Sequence, residues 1–368
     1  MRPRLEKISI SGYKTIKQLE SFEPRSLTVL IGPNGAGKSN LISFFRLLSW
    51  SMAAPGQLQQ FVAAQGGASA VLHDGAARTR EIEFSIQLKT GRGQNDYRAR
   101  LFYAAGDILV YADESFRFLP DGRTGPVTSL GAGHRESALI ERAEMGNGTA
   151  KTILAMLRRI IVHQFHNTSD SARLKTKWDA DDGRRLKEDA GNLAPFLLRL
   201  RNEEPDYYRR IADTIRSILP FFGDFDLEAD EHGKVLLRWN EKSSDVVFNA
   251  SQASDGMLRI LALVSLLQQP ERDLPDVLIL DEPELGLHPF AVEVLAGLIV
   301  SASASTQIIL ATQSASLVNQ FEPDNVVVVE RHGRHSVYKR LDETKLEAWL
   351  EKYSLSELWE KNVIGGRP

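Results

Sequence analysis

The chain has 368 residues, with 45 Lys and Arg against 48 Asp and Glu, a formal net charge of −3, 42% hydrophobic residues and 25% charged. This ordinary globular composition excludes disorder as the dominant state and supplies a sizeable core, for two domains or one large domain with an insertion. The absence of cysteine excludes a disulfide scaffold, a thiolate zinc site, an iron–sulfur cluster and a cysteine nucleophile together.

The first residues, MRPRLEKISISGYKTI, alternate charged and apolar side chains and lack the continuous apolar stretch of a signal peptide. No window approaches the roughly 20 apolar residues that span a bilayer. A soluble, cytoplasmic protein with no membrane partner is the expectation. Residues 5–10 alternate as a half-buried strand, and 27–31 (LTVLI) form a short apolar run ending in glycine, a buried strand. From 40 to 52 the apolar spacing is helical. Residues 81–88, 97–103 and 108–111 are short alternating segments separated by turn formers, which predicts an antiparallel sheet. A Gly-rich loop is expected over 121–133 and another around 146–148. A helix over 149–159 then runs into an apolar strand at 160–162.

Residues 163–189 are polar and give no periodic signal. Helices are expected at 192–201 and 206–219, with Pro205 in the first turn of the second, where its missing N–H costs nothing. The last third alternates strands (277–280, 308–311, 326–329) with helices (289–300, 314–320), the pattern of a parallel sheet with both faces covered. Residues 337–341 extend it, and two short helices follow at 343–352 and 355–360. The fold class is therefore α/β, with an antiparallel β subdomain and an inserted helical lobe. The divisions are an N-terminal lobe over 1–162, the insertion over 163–250 and a C-terminal lobe over 251–368.

Three motifs carry chemistry. Gly32-Pro33-Asn34-Gly35-Ala36-Gly37-Lys38-Ser39, followed by Asn40, matches G-x-x-x-x-G-K-[ST] between a strand and a helix, the context that a phosphate-binding loop requires. Its glycines let successive N–H groups line a concave anion site, and the helix start adds its positive end. Lys38 is expected to reach the β- and γ-phosphates of a bound nucleotide, and the Ser39 hydroxyl to ligate Mg²⁺. Second, the apolar strand at 277–280 ends in Asp281-Glu282, at the edge where open α/β sheets bind ligands. Asp281 would hold the Mg²⁺ shell, and Glu282 would orient or deprotonate the attacking water. Third, Ser254-Asp255-Gly256 opens an apolar helix between the first two motifs, and Glu284-Leu285-Gly286-Leu287-His288-Pro289 follows the carboxylates. Thr312-Gln313-Ser314 follows the next strand.

This ordered set resembles the ATP-binding cassette ATPases of the SMC/RecF/OLD group, in the form of small ATPases with an SDG signature and an EPELGLHP segment, over nearly the entire chain. The resemblance implies an ATPase that closes as a homodimer around two ATP molecules. Ser254, Asp255 and Gly256 would be the signature that completes the γ-phosphate site of the other protomer. Residues 285–289 would be the D-loop crossing the interface, and Gln313 the switch residue. The group commonly has histidine at that position; glutamine can donate and orient water but cannot change charge near neutral pH, so the expectation is either slow turnover or a site that acts mainly as a nucleotide-gated switch. Gln164 is the nearest candidate for a Q-loop glutamine. His163 and His166 have the spacing of a metal pair, but with no third ligand they read as satisfied polar residues.

Roughly 215 residues separate Ser39 from Ser254, without sustained heptads, so coiled-coil arms are not expected. The stretch after Ser314 is too short for an appended Toprim nuclease. Any nuclease would be a separate subunit. Residues 151–201 carry a net charge of about +5 against the acidic whole, either a solvated mixed-charge face or a patch for phosphate backbones. Two roles follow: a DNA-associated ATPase of genome maintenance or phage defence, or a nucleotide-gated subunit controlling a separate nuclease or toxin. A transporter cassette is disfavoured by the signature.

Overall fold

The computed structural model describes residues 2–120, 123–165, 167–244 and 246–367. Its centre is a six-stranded sheet in the order His335–Arg340, Val326–His332, Leu27–Ile31, Gln307–Ala311, Val277–Asp281, Ile160–His163. All neighbours are parallel except the outer pair, which is an antiparallel hairpin. The inner strands are buried throughout, as expected for continuous apolar runs covered on both faces. Alternation sorts their side chains: Val29, Ile31, Leu278, Leu280, Ile308 and Leu310 enter one core, and Leu30, Ile279, Ile309 and Val327 enter the other.

The second core is closed by the helix Lys38–Ala53 and by another six-stranded sheet, in the order Ile16–Phe22, Arg4–Tyr13, Glu81–Thr90, Gly93–Ala104, Ile108–Pro120, Thr128–Gly131. The first core is closed by the helices Asp255–Leu267, Pro289–Ala302 and Leu355–Glu360. The helices Leu193–Glu203 and Pro205–Ile218 join them with a three-stranded sheet, Phe222–Asp226, Arg238–Glu241 and Val247–Asn249.

Several elements correct the sequence reading. Part of the loop expected at 121–133 lies outside the described residues, at 121 and 122. The rest contains Thr128–Gly131, an edge strand whose four residues show no period of their own and which is ordered by pairing with Ile108–Pro120. Ile16–Phe22 (IKQLESF) was too polar to read as a strand, yet it pairs with Arg4–Tyr13. The helices Gln57–Ala64 and Ala68–Val71 and the small sheet around the buried Trp239 were also unread. In each case tertiary contact supplies what local pattern lacks.

One aromatic contact ties the antiparallel layer to the phosphate-loop helix. Phe44, fully buried, meets Tyr13 edge-on at 5.5 Å and Phe84 at 5.3 Å between ring centroids. Phe44→Ala is expected to cost about 3–5 kcal/mol in urea unfolding. A loss below about 1 kcal/mol would show that these layers are held elsewhere.

Candidate functional site

Residues 32–39 leave the strand Leu27–Ile31 and enter the helix Lys38–Ala53. Gly32 has φ +148° and Gly37 φ +116°. A Cβ on Gly32 would lie 2.1 Å from the Val329 carbonyl, and one on Gly37 2.0 Å from Ser336 Oγ, so the outer hairpin presses on the loop from behind. Ser336 Oγ donates to the Ala36 carbonyl at 2.6 Å and lies 2.7 Å from Thr15 Oγ1, which accepts from the Asn40 amide at 2.6 Å. Tyr338 donates its hydroxyl proton to the Gly37 carbonyl at 2.9 Å. Gly366 donates to Glu330 Oε1 at 2.9 Å and packs beside Gly32. None of these supports had a sequence signal, because each partner is remote in the chain.

Lys38 is buried and its ammonium donates to the carbonyls of Gly32 and Pro33. Burial pulls its pKa down, while the carboxylates of Glu282, Asp281 and Glu284 act in the opposite direction. Among the described residues, the N–H groups of Gly35, Gly37, Lys38 and Ser39 have no acceptor within the chain. The first turn of the helix carries no acidic side chain. Unpaired donors, a helix start and a buried ammonium together fit the polyphosphate of a nucleotide.

The strand Val277–Asp281 lies one strand beyond, with Asp281 opposite Ala311. Gln164 donates to Asp281 Oδ2 at 3.2 Å, so the candidate glutamine does reach this carboxylate. Glu282 has φ +43°, an observed left-handed outlier worth about 1–3 kcal/mol of strain. Its N–H donates to the Ala311 carbonyl at 2.8 Å, and its carboxylate accepts from the Gln313 amide. Lys38, Asp281, Glu282 and Gln313 are thus brought to one edge of the core sheet. Ser39 is exposed at the start of the helix. Ser39 and Asp281 are oxygen donors of the kind Mg²⁺ takes together with phosphate oxygens, without an all-protein cage.

The signature residues stand apart. Ser254 caps the helix Asp255–Leu267, accepting from Met257 N–H at 3.2 Å, and both Ser254 and Asp255 are exposed. A Cβ on Gly256 would lie 2.8 Å from the Gly286 carbonyl, and Arg259 donates to the Leu285 carbonyl. The helix start therefore packs on the turn after the carboxylates, beside the exposed Leu285 and Phe290. Among the described residues, no hydrogen bond or ion pair links residues 254–256 to residues 32–40.

His166 lies outside the described residues. Among those described, no cluster of three or more His, Asp or Glu could hold a metal. His163 is 3% exposed, and burial lowers its pKa to about 4.

These features define an ABC-type P-loop ATPase head. The sequence matches, over residues 27–319, the family described as "AAA domain, putative AbiEii toxin, Type IV TA system", and the chain belongs to that family. Its fold is that of an SMC head. An Smc head bound to the C-winged helix domain of ScpA superposes with a TM-score of 0.61 at 17% identity, over 93% of this chain and 99% of that one. An Smc head with an extended coiled coil, bound to the C-terminal domain of ScpA derived from Pyrococcus furiosus, gives 0.58 at 16% identity, over 95% and 99%. No curated protein matches the sequence. Among the described residues, no helix is long and apolar enough to cross a membrane.

The buried His163 makes stability depend on pH. Its folded pKa lies below the ordinary 6.5, so the unfolded chain takes up a proton that the folded chain refuses. That contribution is present above pH 6.5 and is lost as pH falls towards about 4, by on the order of 3 kcal/mol. Urea titrations between pH 7 and 4 should show a shallower pH slope for His163→Gln than for the wild type. Equal slopes would remove this assignment.

Proposed function

We propose that this chain hydrolyses ATP to ADP and phosphate as a homodimer closed head-to-tail around two nucleotides. Each site takes residues 32–40, Asp281 and Glu282 from one chain and residues 254–256 from the other. One observation carries the reading: Lys38 of the phosphate loop and the carboxylates act on one another within one chain, whereas the signature sits on an exposed ledge with, among the described residues, no hydrogen bond or ion pair to its own loop. The unpaired N–H groups receive phosphate oxygens, and Lys38 exchanges the Gly32 and Pro33 carbonyls for the β- and γ-phosphates. Ser39 and Asp281 would hold Mg²⁺, whose chemistry there would be to offset phosphate charge. Glu282 orients the attacking water and accepts its proton, and Gln313 fixes the direction of that carboxylate.

For the role, the charge distribution supports a nucleotide-gated subunit that controls a separate effector protein. The excess of basic residues at 151–201 is partly offset by ion pairs. Arg159 meets Asp276 at 2.9 Å, Lys177 meets Asp230 at 2.7 Å and Arg199 meets Asp273 at 3.0 Å, all with carboxylates outside the segment. Arg173, Lys175 and Lys187 pair with Asp189, Asp170 and Asp182. The similar Smc heads are described in complex with domains of another protein, which supports the same kind of role. The second reading, a DNA-associated ATPase, is favoured by Lys151, Arg158, Arg184, Arg185 and Arg201, which among the described residues have no carboxylate partner; Arg158 and Arg201 bond to backbone carbonyls.

Lys38→Ala is expected to weaken ATP binding by about 10- to 100-fold in equilibrium titration; unchanged affinity would refute the phosphate-loop assignment. Glu282→Gln should accumulate an ATP-bound dimer in light scattering, and a protein that stays monomeric at saturating ATP would sink the composite site. Turnover measured with and without single- and double-stranded DNA separates the roles. Stimulation that falls steeply with salt identifies the DNA reading, and its absence supports the effector reading.

A further inference from the structure

We infer that Glu284 is a positioning residue for the ATPase site: through Thr312 it ties the exposed turn that follows the carboxylates to the Gln313–Glu282 pair. The inference rests on the proposed ATPase function and deepens it.

A carboxyl group as buried as Glu284, at 9% exposure, is costly unless it is fully hydrogen-bonded, and an apolar side chain would serve packing better. Glu284 is only half satisfied. Its Oε1 accepts from the Thr312 hydroxyl, while its Oε2 is buried without a hydrogen-bond partner. Burial raises its pKa; the Thr312 hydroxyl and the backbone N–H groups of Glu284 and Gln313 act against that, and the charge of Glu282 reinforces it. The site therefore keeps a carboxyl group at a cost in stability, in contact with the backbone beside Gln313.

Thr312, fully buried, is a junction. Its N–H donates to the Leu30 carbonyl at 3.0 Å, at the end of the strand that feeds the phosphate loop. Its hydroxyl accepts from Ser314 N–H at 2.9 Å and donates to Glu284. The peptides flanking Gln313 are thus pinned on both sides, and the Gln313 side chain is left to meet Glu282. On the other side, Glu284 belongs to a turn closed by Leu285 N–H to the Glu282 carbonyl at 3.2 Å and by Leu287 N–H to the Glu284 carbonyl at 3.0 Å. That turn carries the strained Glu282 at its start and abuts the signature helix through Gly286 and Arg259 at its far end. The carboxyl–hydroxyl contact therefore joins the middle of the turn to the segment that aims Gln313, beside the bond from Glu282 N–H to the Ala311 carbonyl at the start of the turn. A partner pressing on Leu285 and Gly286 would move both members of the Glu282–Gln313 pair together.

The test compares Glu284→Ala and Thr312→Val with the conservative Glu284→Gln and Thr312→Ser, in the full chain. Turnover, affinity for a non-hydrolysable ATP analogue and thermal unfolding are measured for each. The two disruptive variants should lose about 10- to 100-fold in kcat with affinity changed less than about threefold. The conservative variants, which keep an acceptor or a hydroxyl in place, should recover most of it. Because the effect acts through Gln313, Glu284→Ala should cost little further when added to Gln313→Ala. Wild-type kcat in Glu284→Ala and Thr312→Val would overturn the inference. So would a loss shared equally by kcat, affinity and thermal stability, or additive losses in the double variant. A wild-type protein that neither binds nor turns over ATP would overturn the proposed function itself, and is recognised by failing before any substitution is made.

Discussion

The whole site depends on a stretch of backbone whose carbonyls are engaged and most of whose N–H groups, among the described residues, are not. The carbonyls of Ala36 and Gly37 are taken by Ser336 and Tyr338, and those of Gly32 and Pro33 by the buried ammonium of Lys38. What remains, at Gly35 and at residues 37–39, is a set of donors at a helix start. Donors left without acceptors are normally expensive, and a protein keeps them where a ligand can satisfy them. An anion site made of backbone needs no cationic surface, which is why an acidic protein can hold a polyphosphate.

Rigidity around that loop comes from the layering. The core sheet is apolar on both faces, so each face must be covered by a separate layer, and the edge where its strands end is the one place where polar groups can gather. Asp281, Glu282 and Gln313 all fall there because parallel strands end together. The left-handed Glu282 is the local conflict in this arrangement. Its backbone is held by the Ala311 carbonyl and by the turn that follows, so the strain is sustained by the sheet.

Charge along the chain is rearranged by the fold. A window over 151–201 shows an excess of basic residues, yet Asp230, Asp273 and Asp276, remote in sequence, close on Lys177, Arg199 and Arg159. The consequence of these pairs is electrostatic: they lower the field that a phosphate backbone would meet.

The sequence by itself determined what neighbouring residues decide. A strand, a glycine-rich turn and a helix follow one another at 27–53 because apolar runs, φ-permissive glycines and helical spacing are local properties, and the Asp-Glu pair at the end of an apolar strand is equally local. The parallel core and the approach of Lys38 to the carboxylates could be inferred from the order of these pieces. The tertiary structure alone decided which side chains support them. Ser336 and Tyr338 reach the loop from some 300 residues away, Gln164 meets Asp281 across an inserted lobe, and Glu284 finds Thr312 just past the end of the next strand. It also formed the strands Ile16–Phe22 and Thr128–Gly131, whose short or polar sequences become strands only beside a longer partner. Pairing of this kind depends on what the folded chain places opposite a residue, and no pattern within the segment records it.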